Sequence, residues 1–198
     1  MKESFETERL VVQAIDACNN FRAEDVSDTD ILEVLAPEVT EHLPPDWQGI
    51  DTPEQARRWL QNRQQEGGCC LVWHKPDNGC AADGVGSIRL AGFLFQHRFP
   101  APDHPGEEIR IGYLLAKSCW GFGLATELIY GLLNASRAEV QANGAPVTVV
   151  GGVARHNSAS IRVLEKCGFQ RVSPSAECEA QVDSDTGFYR VFLDLSSV

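Results

Sequence analysis

A glycine-rich turn between a predicted strand and a predicted helix constrains the fold more than any other feature of the sequence. The strand covers residues 108–115, and the turn runs from residue 118 to residue 127 as Ser-Cys-Trp-Gly-Phe-Gly-Leu-Ala-Thr-Glu. The helix is predicted over residues 123–140. Gly121 and Gly123 allow the backbone to approach a ligand without interference from a Cβ atom. The start of a helix also attracts anions, so the turn either binds one or is a structural turn with no ligand.

Two common phosphate-binding motifs do not fit this turn. A dinucleotide-binding fingerprint requires a third Gly or Ala where the chain has Thr126. It also requires an acidic residue about 20 positions further on, where residues 145–150 contain none. The Gly-Lys-Ser/Thr sequence of a P-loop is absent. A pyridine-nucleotide enzyme is therefore disfavoured.

The order of the predicted elements indicates an α/β fold around a mixed sheet. Apolar and β-branched runs predict strands, and amphipathic runs with start and stop residues predict helices. Strands are predicted at residues 9–15, 69–74, within 82–95, 108–115, 147–153, 170–173 and 188–195. Helices are predicted at residues 28–35 (stopped by Pro37), from 53 onward, 123–140 and 158–167, with loops at 42–49, 75–79 and 97–106.

Two of these helices have specific start signals. Thr52 can cap the second helix, with Gln55 completing a capping box. Asn157 can cap the last helix, and Gly168 suits the left-handed conformation that ends it.

The composition bounds the class of protein. The chain has 198 residues, which fits a single domain over residues 1–198. It shows no apolar run long enough to cross a bilayer and no apolar leader, so we expect a cytoplasmic protein. A net charge of −11 argues against nucleic acid and membranes as partners. The seven cysteines form no Cys-x-x-Cys pair and the five histidines are scattered, so we expect neither a disulfide framework nor a metal site.

Three ordered motifs resemble the GCN5-related N-acetyltransferase (GNAT) family, and within it the RimJ/RimL-type branch of ribosomal-protein alanine N-acetyltransferases. They are Ile111-Gly-Tyr-Leu-Leu-Ala116, Trp120-Gly-Phe-Gly-Leu-Ala-Thr-Glu127 and Asn157-Ser-Ala-Ser-Ile-Arg-Val-Leu-Glu-Lys-Cys-Gly-Phe169; the opening Thr7-Glu-Arg-Leu10 is also similar to that branch. The resemblance implies a twisted, mixed, mostly antiparallel sheet flanked by helices. Its two central strands, at residues 108–116 and 147–154, are expected to splay apart around pantetheine.

The resemblance also implies how acetyl-CoA binds as co-substrate. The backbone amides of the turn hold the CoA pyrophosphate, with the Thr126 hydroxyl nearby, and a strand amide near Leu114 or Leu115 polarises the thioester carbonyl. The turn of such enzymes often begins with Gln or Arg, whereas this chain has Ser118. The cradle is expected from Trp120, Gly121, Phe122, Gly123, Leu124 and Ala125.

Catalysis by direct attack of an amine on the thioester needs a base, an acid and a positioned acceptor. Asn157 is expected to cap its helix and contact the pantetheine amides, and Ser160 is the candidate acid or water-holder near the sulfur. The family often has Glu where this chain has Arg110. Glu108, two residues earlier on the same face of the strand, is therefore the candidate base acting through water, with a solvent-facing edge carboxylate as the alternative.

The acceptor is expected to be a cationic primary amine, because residues 10–56 contain eleven Asp and Glu but one basic residue. His42, Asp46 and Trp47 are the candidate wall of its site, although Trp47 can equally be a packed aromatic. A protein N-terminus, a polyamine and an aminosugar remain alternatives as acceptor. A non-catalytic acyl-CoA sensor remains an alternative to an enzyme, and the chain is expected to be a monomer or a homodimer.

Overall fold

The computed structural model describes residues 4–15, 26–75, 88–172 and 185–195. Two compact units divide the chain. The first unit comprises Met1–Gln96 with Tyr113–Glu127, and the second comprises His97–Gly112 with Leu128–Val198. A single domain over residues 1–198 stays a prediction.

The strands of the first unit pair in their order along the chain. They are β1 (Phe5–Glu6), β2 (Leu10–Ala14), β3 (Cys69–His74) and the part of β4 (Arg89–Pro100) that reaches Gln96. All three pairings between them are antiparallel, with a register shift in β3 at Val72 and Trp73. β3 is buried along nearly its whole length, because it is paired on both edges and packed by aromatic residues.

Helices α1 (Asp28–Val34), α2 (Pro37–Thr40) and α3 (Pro53–Glu66) also belong to the first unit. The predicted capping box of α3 is confirmed: the Gln55 amide donates to the Thr52 hydroxyl at 3.3 Å, and the Thr52 amide donates to the Gln55 side chain at 3.1 Å. The helix predicted at residues 28–35 ends before Pro37, as expected, but Pro37 itself begins α2, which was not predicted. A proline is tolerated there because the first helical residue needs no N–H bond.

The end of β5 (Glu107–Leu115) packs closely against β4 within the first unit. A Cβ atom on Gly92 would lie 2.1 Å from the Leu114 carbonyl oxygen, so only glycine fits. The Ala116 amide donates to the Ala91 carbonyl at 2.8 Å. Leu114 and Ala116 thus direct backbone groups toward β4. Because successive residues of a strand alternate, the amide and carbonyl of Leu115 face the other edge of β5.

The second unit contains the one parallel pairing among those described. β5 pairs with β6 (Val147–Ala154), with Glu107 opposite Val147 at one end of the pairing and Ile111 opposite Gly151 at the other. Beyond this pairing β6 continues to Ala154. β6 also pairs antiparallel with β8 (Thr186–Leu193), which in turn pairs with β7 (Gln170–Val172). The ladder between β5 and β6 ends in the region where the resemblance predicts the central strands to separate.

Helices α4 (Leu124–Asn143) and α5 (Ser158–Lys166) follow β5 and β6. Within the second unit, Arg98 donates to Glu107 at 2.7 Å and to Glu139 of α4 at 2.9 Å, joining three elements at one side chain. A carboxylate on each side keeps Arg98 charged although its side chain is 15% exposed.

Most differences from the predicted elements lie at their ends. The loop predicted at 97–106 is wrong in its first four residues, because β4 continues to Pro100 and the Ala101 amide then bonds to Gly106. Proline is acceptable at a strand's last residue, where no further ladder bond is needed. The short β1 was not predicted. The turn at 75–79 after Lys75, the strand segment at 82–87 and residue 173 lie outside the described residues.

The predicted fold class is confirmed: strands and helices form a mixed α/β fold whose described strand pairings are mostly antiparallel. No helix in the described ranges is long and apolar enough to cross a membrane.

Candidate functional site

The glycine-rich turn lies in the first unit, between β5 and α4. Gly121 has φ of +82° and Gly123 has φ of +78°, conformations that glycine adopts at little cost. Among the described residues, and apart from the adjacent residues in the chain, no heavy atom lies within 4 Å of a Cβ built on Gly121, and on Gly123 the nearest is an Arg9 nitrogen at 3.9 Å. Because α4 begins at Leu124, its first N–H groups face this open turn. The geometry fits an oxyanion such as a diphosphate.

Side chains at the start of the turn tie it to the rest of the first unit. The Trp120 indole N–H donates to the Leu115 carbonyl at 2.8 Å, on the edge of β5 that faces away from β4. The Ser118 hydroxyl donates to Glu33 at 2.7 Å, and Lys117 binds Glu38 at 2.6 Å. Trp120 and Phe122 are 46% and 67% exposed, so the turn presents two large apolar side chains to solvent.

The N-terminal segment contacts the turn through an ion pair that sequence reasoning missed. Arg9 contacts Glu127 through Nε at 2.7 Å and Nη2 at 2.6 Å, and its Nη1 donates to the Phe122 carbonyl at 3.0 Å. The other Glu127 oxygen accepts the Thr7 hydroxyl at 2.6 Å and the Arg9 amide at 2.8 Å. Burial opposes ionisation of Glu127, but these hydrogen bonds outweigh it and hold its pKa below the ordinary value.

Two sequence features contain the residues of this ion pair: the segment Thr7-Glu-Arg-Leu10 and the acidic residue in the first turn of α4. Neither feature indicates that the two residues contact each other.

The candidate base lies in the second unit. Glu108 is 8% exposed on β5, so the alternative of a solvent-facing edge carboxylate is wrong; β5 is paired with β6 there. Arg110 donates through Nε to Glu108 Oε1 at 2.7 Å, and its guanidinium lies 4.6 Å from the centre of the Phe99 ring. The residue opposite Glu108 on β6 is Thr148, whose hydroxyl lies 2.8 Å from His104 Nε2.

The candidate acid and its neighbour also lie in the second unit, at the start of α5. The Ser160 amide donates to the Asn157 side chain at 3.1 Å, which confirms the predicted cap. Gly168, φ +87°, ends the helix as predicted. Leu164 of α5 is 1% exposed and packs on Gly151, so it is a core residue.

The acceptor candidates lie in the first unit. Trp47 is packed, with its ring centre 5.3 Å from Trp59, 5.0 Å from Phe95 and 4.7 Å from the Arg63 guanidinium carbon. Asp46 is exposed in the same short turn, and His42 is half-buried just before it. Packing accounts for Trp47 without a ligand.

Among the described residues, no group of three His, Cys, Asp or Glu side chains could hold a metal ion. Burial raises the pKa of the Cys69 thiol, and burial likewise raises the pKa of Cys167 to about 11, which makes both thiols poor nucleophiles.

Comparison with known proteins decides the family. The model of a GNAT-type acetyltransferase domain matches residues 19–170. The chain belongs to the GNAT acetyltransferase family. A search of curated proteins finds no match.

Solved structures share the fold at low sequence identity. A GNAT-family acetyltransferase from Bacillus anthracis is 18% identical with a TM-score of 0.64, over 96% of this chain and 98% of that chain. A GCN5-related N-acetyltransferase from Brucella melitensis is 15% identical with a TM-score of 0.68, over 96% of this chain and 79% of that chain. RimL, a ribosomal L7/L12 α-N-protein acetyltransferase solved with coenzyme A, is 17% identical with a TM-score of 0.63, over 97% and 99%.

Family membership confirms part of what the sequence predicted. The chain is an acyltransferase with the fold of acetyl-CoA-dependent N-acetyltransferases. The structure places the turn and the acceptor candidates in the first unit, and Glu108, Asn157 and Ser160 in the second.

Proposed function

We propose that the enzyme transfers acetyl from acetyl-CoA to a cationic primary amine by direct attack of the amine on the thioester, as in the RimJ/RimL-type branch. The observation that carries the proposal is the turn at Gly121 and Gly123. Its two left-handed glycines and the start of α4 make an anion cradle, in a chain of the GNAT family. A protein N-terminus is the proposed acceptor class.

In this proposal the CoA diphosphate is bound by backbone amides with the Thr126 hydroxyl nearby. The amides are those of Trp120, Gly121, Phe122, Gly123, Leu124 and Ala125. Of the two strand amides considered, Leu115 is the better donor to the thioester carbonyl. The Leu114 backbone is directed toward β4, whereas Leu115 faces the other edge, where its carbonyl already accepts the Trp120 indole.

The chemistry requires one proton to leave the amine and one to reach the sulfur. Glu108 is proposed to accept the amine's proton through a water molecule, which leaves a lone pair on nitrogen to attack the carbonyl carbon. As the C–N bond forms, the C–S bond breaks, and Ser160 or a water it holds gives a proton to the thiolate. Asn157 orients the pantetheine amides while it caps α5.

The charge distribution supports a cationic acceptor. In the described part of residues 10–56, Asp46 and most other acids are exposed. Only a few of these acids have a cationic partner, as Glu38 does in Lys117. His42, Asp46 and Trp47 are proposed to line the acceptor side, with Trp47 held by its aromatic neighbours. One structural neighbour is an α-N-protein acetyltransferase, which favours a protein N-terminus over a polyamine or aminosugar.

One observation favours a second candidate function, an acyl-CoA sensor without catalysis. Arg110 donates to Glu108 at 2.7 Å, so one oxygen of the candidate base is already engaged by a cation. The engaged oxygen is then occupied by the guanidinium and cannot hold the water that would carry the amine's proton, so the cradle would remain while turnover is lost.

The test is thiol release from acetyl-CoA with a panel of acceptors: peptides beginning with Ala, Ser or Met, spermidine and an aminoglycoside. We expect turnover with a peptide and a loss of roughly a hundredfold or more in kcat for Glu108→Gln. We expect a smaller loss for Ser160→Ala. Glu165→Gln and Ser158→Ala, exposed on the same helix α5, are the matched controls and should retain activity.

Three results would contradict parts of the proposal. Tight acetyl-CoA binding with no release from any acceptor favours the sensor. Best turnover with spermidine or the aminoglycoside assigns a small-molecule acceptor instead. Full activity in folded Glu108→Gln removes Glu108 as the base.

A further inference from the structure

We propose that Arg9 is the positioning residue of the diphosphate cradle: it fixes the peptide between Phe122 and Gly123 and neutralises Glu127 at the start of α4. This inference rests on the proposed binding of CoA at the turn. It assigns a binding role to an N-terminal residue that lies more than a hundred positions from the turn in sequence, and every contact used lies within the first unit.

The geometry of one peptide bond is the first reason to assign this role to Arg9. Arg9 Nη1 donates to the Phe122 carbonyl at 3.0 Å. In a planar trans peptide the carbonyl and the next N–H point in opposite directions. With the Phe122 oxygen held by the guanidinium, the Gly123 N–H is directed to the opposite side of the turn, where it can donate to a phosphate oxygen.

The conformational freedom of the turn is the second reason. A turn with two glycines has many accessible conformations, and ordering it on binding costs free energy. The Phe122 side chain is exposed and supplies little restraint of its own. The Arg9 contact therefore orders the turn before the ligand arrives, and such pre-organisation increases affinity.

The negative charge of Glu127 at the start of α4 is the third reason. A carboxylate in the first turn of a helix competes with an anionic ligand for the same positive end of the dipole. The planar guanidinium of Arg9 binds Glu127 through two nitrogens, at 2.7 and 2.6 Å, and the Thr7 hydroxyl and Arg9 amide satisfy the other oxygen. Glu127 is thereby neutralised and in turn fixes the direction in which Arg9 reaches the turn.

Arg9 also places a guanidinium beside the glycines of the turn, where the chain's neighbouring polar side chains are directed elsewhere. Position 118 is Ser, and its hydroxyl is directed to Glu33. Lys117, the basic residue within residues 113–127, binds Glu38. The Arg9 guanidinium lies 3.9 Å from the Cβ position of Gly123 and remains partly exposed, at 37% of its side chain.

The experiment is calorimetric binding of CoA and of pantetheine, which lacks the phosphates, to wild-type protein and to Arg9→Gln, Arg9→Lys and Arg58→Gln. We expect Arg9→Gln to weaken CoA binding roughly ten- to hundredfold, the loss of a charge-assisted hydrogen bond, with pantetheine affinity unchanged. Arg9→Lys should lose affinity too, since an ammonium cannot bond to Phe122 and both Glu127 contacts together. Arg58→Gln, an exposed α3 residue of the same unit, should bind as wild type.

A double variant separates positioning from neutralisation. If Arg9 only cancelled the charge of Glu127, then Arg9→Gln combined with Glu127→Gln would recover wild-type affinity for CoA. We expect only part of the affinity to return in the double variant, because removal of the Glu127 charge does not restore the bond to the Phe122 carbonyl. In turnover assays, KM for acetyl-CoA should rise with little change in kcat.

The outcomes that overturn the inference are distinct from those that overturn the proposed function. Equal CoA affinity of wild type and folded Arg9→Gln, or full recovery in the double variant, overturns the role of Arg9 alone. Wild-type protein that binds CoA but never turns over contradicts the proposed catalysis and leaves the binding result for Arg9 standing. Wild-type protein that does not bind CoA overturns both. If Arg9→Gln unfolds, as thermal melting will show, Arg9→Lys decides the question.

Discussion

At the scale of single residues, hydrogen-bond donors decide what each carboxylate can do. Glu127 and Glu108 both lie next to an arginine, but Glu127 has every oxygen occupied, whereas the described bond to Glu108 from Arg110 engages Oε1. A fully satisfied carboxylate is a structural anchor. The second oxygen of Glu108 is not engaged by Arg110 and can hold the water through which Glu108 is proposed to act, whereas both oxygens of Glu127 are occupied.

The first prediction concerns the acid stability that Glu127 contributes. Its pKa in the folded chain lies below the ordinary 4.5, so its contribution is fully present above about pH 4.5 and is lost as the pH falls through the folded-state pKa. Glu127→Gln should lower the free energy of unfolding by about 1–3 kcal/mol at pH 7, and by less at pH 3, which lies below the ordinary pKa. Urea denaturation across pH 3–7 measures this difference, with exposed Glu54→Gln as control. A difference that stays constant down to pH 3 would contradict the prediction.

The second prediction concerns the close approach at Gly92. A Cβ there would meet the Leu114 carbonyl at 2.1 Å, and that atom is backbone and cannot rotate away. Gly92→Ala should cost about 1–3 kcal/mol of unfolding free energy as β4 and the end of β5 are forced apart. Gly152→Ala, whose added Cβ would have only ordinary contacts from 3.5 Å, is the control. Unchanged stability in Gly92→Ala would mean that the strands separate freely.

At the scale of elements, local signals predicted much of the fold and distant pairings escaped prediction. Thr52 with Gln55, and Asn157 with Ser160, are three residues apart, so the capping geometry follows from the sequence alone. The Arg9–Glu127 pair joins residues 118 positions apart, and no local pattern encodes such a contact. The continuation of β4 to Pro100 depends on tertiary structure in the same way, since proline-rich sequence locally favours a loop.

The third prediction tests the start of α3. Removal of the Thr52 hydroxyl leaves the Gln55 amide without its capping acceptor, so Thr52→Ala should destabilise the chain by about 1 kcal/mol. Thr52→Ser keeps the hydroxyl and is the matched variant. Its free energy of unfolding should lie within a few tenths of a kcal/mol of the wild-type value. Chemical denaturation of the three proteins measures the effect. Equal loss in Ser and Ala variants would show that the methyl group and not the cap is responsible.

At the scale of the whole molecule, charge is distributed unevenly along the chain. The net charge is −11, and residues 110–171 nevertheless contain seven basic and three acidic residues, while residues 10–56 are strongly acidic. An anionic co-substrate and a cationic acceptor have opposite electrostatic requirements, and a chain divided in this way can meet both. Long-range fields of this kind act on the approach of a ligand and are weakened by salt.

The fourth prediction follows from that field and tests the proposed acceptor class. Because the screening length falls from about 10 Å at 0.1 M salt to about 3 Å at 1 M, KM for an acceptor with several positive charges should rise several-fold over that range. KM for a primary amine of the same chain length with one positive charge should change little. At saturating acetyl-CoA, kcat should change little for either amine. Steady-state kinetics at four salt concentrations measures this. Asp46→Asn removes one exposed carboxylate of the proposed acceptor wall. It should therefore reduce the increase of KM with salt that is measured for the polycation. An equal dependence of KM on salt for the two amines would mean that the acidic residues do not select the acceptor by its number of positive charges.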